Sequence, residues 1–401
     1  MQKFSQNYII LTQLTVIFVI YFQILGLNVP SVIKYGLFSS TLLVLILGLI
    51  KSHMRRSSIF EKLLLLWLTF LILTSFSELQ DEYLNYIKLK QFLSGTLLIY
   101  VTPFLILSNP DIQLFKNLMK FQFYLAVLYI ISTLPFFVFF TTNISSAEGL
   151  GSILIGGISL LIMTLSYHSK KKQLVILISI FLVLIINMIN ARRNQVVFFS
   201  SILFFTYFIS ILSKGAFAQR KKAETIRFIT VFSVFISMII IFFSNSFSLF
   251  WERLEGGMDS REYFIEKFIE DFDSHSIDWI IGRGIFGEFN GGLQMTNLRT
   301  GMRDVIENGY LFLILKGGWV YLGLLILVSI VSVYKGLFKS NNLLVKGLAA
   351  IIIIYFIDMI GFGLPSPTLK YILVFISIAG CNSESLRNFS DEYLSKQIGL
   401  K

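Results

Sequence analysis

The sequence predicts an all-α, polytopic membrane protein of about twelve transmembrane helices, with one large extracytoplasmic loop that carries short amphipathic helices. Three observations predict it. The chain is 55% hydrophobic and 15% aromatic, with a mean hydropathy of +0.76. Only 14% of its 401 residues are charged, where soluble domains carry roughly 25%. Its apolar runs are about 17 to 25 residues long, each enough to cross ~30 Å of hydrocarbon as a helix. They do not alternate as the strands of a transmembrane barrel would.

Taken in order, the first run, 8–27, lacks a small-residue cleavage site and reads as a retained helix. The second, 32–50, holds Lys34 near its edge, from which the amine snorkels to the interface. The following runs are 60–77, 90–108, 121–141, 152–168, 174–190, 196–213 and 228–248. After one long connection come 307–334, 347–364 and 368–384. This divides the chain into nine helices over 1–248, a large loop over 249–306, three helices over 307–384 and a cytoplasmic tail over 385–401.

Charge assigns the sides. Alternate connections carry KSHMRR (Lys51 to Arg56), KNLMK (Lys116 to Lys120), SKKK (Ser169 to Lys172), KGAFAQRKK (Lys214 to Lys222) and KGLFKSNNLLVK (Lys335 to Lys346). Positive connections face the cytoplasm, which puts both termini there. The intervening set is acidic or nearly uncharged, as in SELQDEY (Ser77 to Tyr83). The net charge of +11 is therefore a membrane signature and does not point to nucleic acid. A single cysteine, Cys381, excludes an intrachain disulfide.

Arg192 and Arg193 break the pattern. They stand between two apolar runs on the expected outer side, where the charge bias is against them. An arginine pair there either snorkels to headgroups or receives an anion, and the planar guanidinium suits phosphate oxygens.

The loop 249–306 is long enough to fold on its own. Asp259 with Glu262 resembles a capping box, and Phe264, Ile265, Phe268, Ile269 and Phe272 share one helical face. An amphipathic helix lying along the outer membrane surface is expected. DWIIGRGIFGEFNGG follows, with Arg283 inside a glycine pair, a turn able to approach an anion or simply a flexible one. Glu307, Asn308 and Tyr310 mark the return into the membrane. Lys316 and Asp358 are the charges that stand out within spans, as a buried pair or as residues near helix ends.

An arginine motif between spans, a long outer loop reading DSREYF…DWIIGRGIFG, and an NGYL…KGG…GL return occur in that order. Together they resemble the bacterial O-antigen polymerase and ligase superfamily over most of the chain. Members show S-G-R before a helix, a G-x-G turn, and H-N leading into a glycine-rich stretch. Ser260-Arg261, Gly282-Arg283-Gly284, Glu307-Asn308 and Gly318 to Leu324 stand at those places. The ligases carry a histidine where this chain has Glu307, and His53, His168 and His275 lie elsewhere, which favours a polymerase.

The resemblance implies glycosyl transfer at the outer face of a bacterial inner membrane. The substrate would be an undecaprenyl-pyrophosphate-linked oligosaccharide, with the lipid bilayer and a chain-length regulator as partners. Arg192, Arg193, Arg261 and Arg283 are the expected pyrophosphate clamp, with Arg303 and Arg299 weaker members. Glu307 is the expected base, Asp259 the second choice. Tyr263, Asn308, Tyr310 and Trp279 would meet sugars, or serve as interfacial anchors. Carboxylates and histidines do not fall at ligand spacing, so neither metal nor other cofactor is expected. The competing expectations are a ligase that transfers the glycan to lipid A-core and a lipid-linked oligosaccharide flippase. A flippase usually shows internal repeats, and none is evident here.

Overall fold

The computed structural model of the chain describes residues 2–24, 30–51, 55–77, 96–142, 144–190, 192–212, 260–292, 301–361, 363–366 and 368–399. The expected span 228–248, the beginning of 90–108, and Asp259 and Arg299 lie outside the described residues. Within them the chain is a helical bundle. The apolar runs become helices because hydrocarbon offers no water to bond a free N–H or C=O, so each segment must satisfy its own backbone.

The first helices are α1 (Gln2–Ile24), α2 (Ser31–Lys51) and α3 (Ile59–Ser77). Short α4 (Leu97–Val101) runs into a tight 3-10 turn over Thr102–Leu107, with Pro103 in its first turn, and α5 (Ile112–Thr133) follows. Next come α6 (Phe137–Thr142), α7 (Ile144–Leu150) and α8 (Ser159–Met163), then the long α9 (Lys170–Ile189) and α10 (Arg193–Leu212). The outer loop contributes α11 (Ser260–Asp273) and α12 (Ser276–Ile281), with a two-residue β1 (Phe289–Asn290) paired antiparallel to β2 (Met302–Arg303). The chain closes with α13 (Gly309–Phe338), α14 (Leu343–Gly361), α15 (Leu369–Asn382), α16 (Glu384–Asn388) and α17 (Asp391–Ile398). Among the described residues five helices are long and apolar enough to cross a membrane: Ile33–Lys51, Ile112–Thr133, Lys170–Ile189, Gly309–Phe338 and Leu343–Gly361.

Three expected spans are drawn differently. The run placed at 121–141 begins instead at Ile112, because the Asp111 carboxylate accepts the Leu114 N–H at 2.8 Å and caps the helix there. Lys116 and Lys120 thus sit on its first turns and not in a connection. The run 152–168 is no continuous helix. It breaks into a π turn over Gly151–Ile155, then α8, then a 3-10 turn over Leu165–Tyr167. At Gly157 a β-carbon would come within 2.6 Å of the Leu369 side chain, so the break lets α15 pack against the backbone. The expected tail 385–401 includes α16 and α17, and Leu394 and Ile398 of α17 are fully buried.

The cationic turns gather at one end of the bundle. Glu61, reciprocally capping α3 with Ser58, pairs with Arg55 and accepts from Asn382 Nδ2 at 3.1 Å. Lys335 Nζ donates to Asn382 Oδ1 at 2.9 Å, and Arg387 Nη1 to the Cys381 carbonyl at 2.8 Å. Tyr21 near the end of α1 meets Ser132 near the end of α5 at 3.0 Å, so α1 and α5 run the same way.

α13 is two helices in one. Gly318 has φ 66° and ψ −174°, outside the helical region, and leaves a break nine residues in. The outer loop fills it. Arg283 N–H donates to the Leu315 carbonyl at 2.7 Å, Lys316 Nζ to the Gly287 carbonyl at 2.7 Å, and Trp67 Nε1 from α3 to the Gly317 carbonyl at 3.0 Å. Lys316 therefore does not pair with Asp358. The remaining segment of α13, 319–338, is roughly 30 Å long at 1.5 Å per residue, enough to span alone.

Two predictions follow from this packing. A β-carbon at Gly318 would lie 2.0 Å from the Ile280 carbonyl oxygen, in a backbone conformation that L-residues avoid. Gly318→Ala should lower stability by more than the ~1–3 kcal/mol of the backbone strain alone. Gly323→Ala, where nothing lies within 4 Å, should hold or raise the melting temperature in detergent. At the C-terminus, Asp391 Oδ1 accepts from the Tyr167 hydroxyl and from the Leu343 N–H at 2.7 Å. Burial raises its carboxyl above the ordinary 3.8, outweighing those bonds and the charge of Lys346. A raised folded-state pKa gives a contribution that is full below the ordinary carboxylate range and is lost as pH rises through the folded value. Protection of α17 from hydrogen exchange, corrected for the intrinsic pH dependence of amide exchange, should therefore fall as pH rises through that window, and Asp391→Asn should abolish that fall.

Candidate functional site

Two turns meet at the end of the bundle opposite the lysines. α9 stops at Asn190, whose Nδ2 donates to the Phe140 carbonyl at 2.9 Å, and Arg192 N–H closes the turn on the Asn187 carbonyl at 2.8 Å. Arg193 opens α10, and the next residue, Asn194, lies against α14. Its Oδ1 is 2.3 Å from the position a β-carbon would take on Gly361. Only a glycine at 361 leaves that space.

The second turn is the chain's return into the membrane. Asn308 is the N-cap of α13, accepting from Tyr310 N–H at 3.0 Å and Leu311 N–H at 3.1 Å. Its Nδ2 reaches the Ile360 carbonyl at 3.4 Å, and the Tyr310 hydroxyl donates to the Phe356 carbonyl at 2.8 Å. Gly309 is packed so closely that a β-carbon would sit 2.9 Å from the Gly363 carbonyl. Ile360, Gly361 and Gly363 thus form a shared wall, with Asn194 on one side and Asn308–Gly309 on the other. Arg192, Glu307, Asn308 and Tyr310 are all half-buried around it.

The other expected residues belong to the loop unit. Phe268, Phe272 and Phe289 are fully buried, with Phe268 and Phe272 stacked at 4.2 Å and Trp279 edge-on to both. Phe268 and Phe272 of the apolar face of α11 turn into this small core, while Ile269 on the same face is exposed. Arg283 is enclosed by it. Its Nε meets Asp278 Oδ2 at 2.6 Å, its Nη1 pairs with Asp271 and donates to the Glu288 carbonyl at 2.8 Å, and the guanidinium covers the Phe272 ring at 4.5 Å. Its charge is compensated inside the loop. Arg303 stacks on Phe264 at 3.7 Å, while Tyr263 abuts Gly292 and lies under Lys267 at 5.9 Å. Of Arg193 and Arg261 only the backbone is described, at the first turns of α10 and α11.

One residue at the same end escaped sequence reasoning. Lys370, in the first turn of α15, pairs with the buried Asp358 of α14 at 2.6 Å, and its Nζ lies 4.7 Å from the Phe198 ring of α10. The signal was available in PSPTLK, a lysine just after two prolines where a span begins. Between α3 and α13 an open groove of about 750 Å³ is lined by apolar side chains including Leu66, Trp67, Phe70, Trp319 and Leu327. No group of three metal-ligating side chains occurs among the described residues.

Arg283→Ala would leave Asp271 and Asp278 facing each other without a counter-charge. Their side chains are about one-fifth exposed, so the cost should fall below the ~3–5 kcal/mol of a fully buried pair. Limited proteolysis should then cut the loop faster than in the parent protein. Arg283→Lys should rescue little, since a single amine cannot reproduce the fork that holds two carboxylates and a carbonyl. No family model, no curated protein and no solved structure matches this chain.

Proposed function

We propose that this chain is a polysaccharide polymerase, a metal-independent glycosyltransferase acting on a lipid-pyrophosphate-linked glycan at the outer face of a bacterial inner membrane. The observation that carries the reading is the convergence of the Arg192–Asn194 turn and the Glu307–Gly309 turn on the wall formed by Ile360, Gly361 and Gly363. α10, α13 and α15 begin at this end while α9 and α14 finish there, so the helix termini largely offset one another, and an anion here would be held by side chains.

In the reaction, a hydroxyl oxygen of the incoming lipid-linked repeat unit attacks C1 of the donor glycan. The bond from C1 to the pyrophosphate oxygen breaks, and its electron pair leaves with the lipid pyrophosphate. The hydroxyl proton passes to the Glu307 carboxylate. Arg192 and Arg193 offset the charge growing on the leaving group, which stabilises the transition state more than the ground state. Asn308 and Tyr310 cap and brace the turn that carries Glu307, and Arg283 holds the glycine turn in shape. Arg261, Arg303 and Tyr263 remain on the loop, as substrate contacts in the same scheme.

Arg192→Ala and Arg193→Ala should each abolish long-chain polymer while leaving protein level and insertion unchanged. Glu307→Gln should remove turnover at all pH values. The readout is an electrophoretic ladder of surface polysaccharide in a deletion strain carrying each variant. Core bearing a single repeat unit is the expected pattern. Bare core with polymer held on the lipid carrier would identify a ligase, and an unchanged ladder would return the chain to the transporter class.

A further inference from the structure

Asp358 and Lys370 form a buried ion pair placed against the helix electrostatics. Asp358 lies in the last turn of α14, where the helix dipole is negative, and Lys370 in the first turn of α15, where it is positive. Exchanging the two would improve both placements. The side chains are 4% and 20% exposed, and a charge buried within a membrane bundle is costly and usually tied to function. A pair serving only to join two helices has no reason to take the less favourable orientation.

The surroundings say which member matters. Lys370 Nζ stands over Phe198, five residues or about 7.5 Å of helical rise beyond Arg193. Asp358 is hemmed in, since a β-carbon on Gly363 would meet its Oδ2 at 2.7 Å. The carboxylate is held on one side by this wall, and the amine is the more open partner. The wall itself, Ile360, Gly361 and Gly363, is the one that joins the Arg192 and Glu307 turns.

We propose that Lys370 is a third cation of the anion site at this end of the bundle, binding a pyrophosphate group, with Asp358 as the residue that positions it. The proposal rests on the functional reading above. Lys370, paired with Asp358, stands at the end of the bundle where the Arg192 turn and the starts of α10 and α13 also lie. Asp358 holds the amine in place while the site is empty.

The test is the exchange variant Asp358→Lys/Lys370→Asp, made beside each single change and Lys370→Arg. Two readouts are taken: surface polymer in cells, and the melting temperature of the purified full chain in detergent with and without inorganic pyrophosphate. The single variants Lys370→Ala and Asp358→Asn should lose polymer. The exchange variant should regain protein level and melting temperature, because the ion pair is restored on better helix ends. It should nevertheless make no polymer and lose the pyrophosphate-induced rise in melting temperature. Lys370→Arg, which keeps the cation, should retain part of that rise. Recovery of both polymer and pyrophosphate response in the exchange variant would reduce the pair to a helix clamp and overturn the proposal. No pyrophosphate response in the parent protein would overturn it as well. A response that depends on Lys370 in a protein whose loss leaves the ladder unchanged would keep the anion site and discard the polymerase reading.

Discussion

Backbone polar groups in hydrocarbon must be bonded within the protein, and the break in α13 is where this constraint bears hardest. At Gly318 the helix gives up its own ladder, freeing carbonyls that water does not reach. The structure answers with donors from two distant segments. Trp67 of α3 bonds the Gly317 carbonyl, and Arg283 of the outer loop bonds that of Leu315. Lys316, buried at the same place, finds the Gly287 carbonyl. Loop and break therefore complete each other. The bonds fix the loop 260–292 against the side of α13 at Leu315 and Lys316, past that helix's first turn.

The same constraint organises the two ends. At the lysine-rich end, Glu61 is the buried carboxylate around which Arg55, Asn382 and, through Asn382, Lys335 assemble. That network ties α3, α13 and α15 together with side chains, where helix packing in lipid has no hydrophobic drive to rely on. At the other end the ties are made by glycines and amides: Gly361 admits Asn194, and Gly309 admits the Gly363 carbonyl. One end is locked by compensated charge. The other is built of close backbone contacts beside a half-buried Arg192.

Much of this was legible in the sequence because the relevant signals are local. Apolar length gave α2, α9, α13 and α14 within a few residues. The amphipathic stripe of α11 was read as a helix, but its apolar partner was assumed to be a membrane. Periodicity tells which face is buried and not against what; Trp279 and Phe289 supply the partner from outside the stripe. The 152–168 run failed for a similar reason. Its composition is that of a span, and only the close approach of Leu369 to Gly157 explains the break. Arg283 looked like an anion ligand because its glycine neighbours were visible and its carboxylate partners, twelve and five residues earlier, were not recognised as such.

Lys370 shows most directly where one-dimensional reading ends. In sequence it is a lysine just after two prolines at the start of an apolar run, a position that also suits a lysine snorkelling to headgroups. Its meaning comes from two residues that meet it in space, Asp358 on α14 and Phe198 on α10. A snorkelling lysine would extend away from the bundle to reach water. This one turns inward to a carboxylate, at a helix end whose dipole repels it. An inward ion pair set against both helix dipoles costs the protein stability that the opposite orientation would not, the trade expected of a functional pair and not of a scaffold.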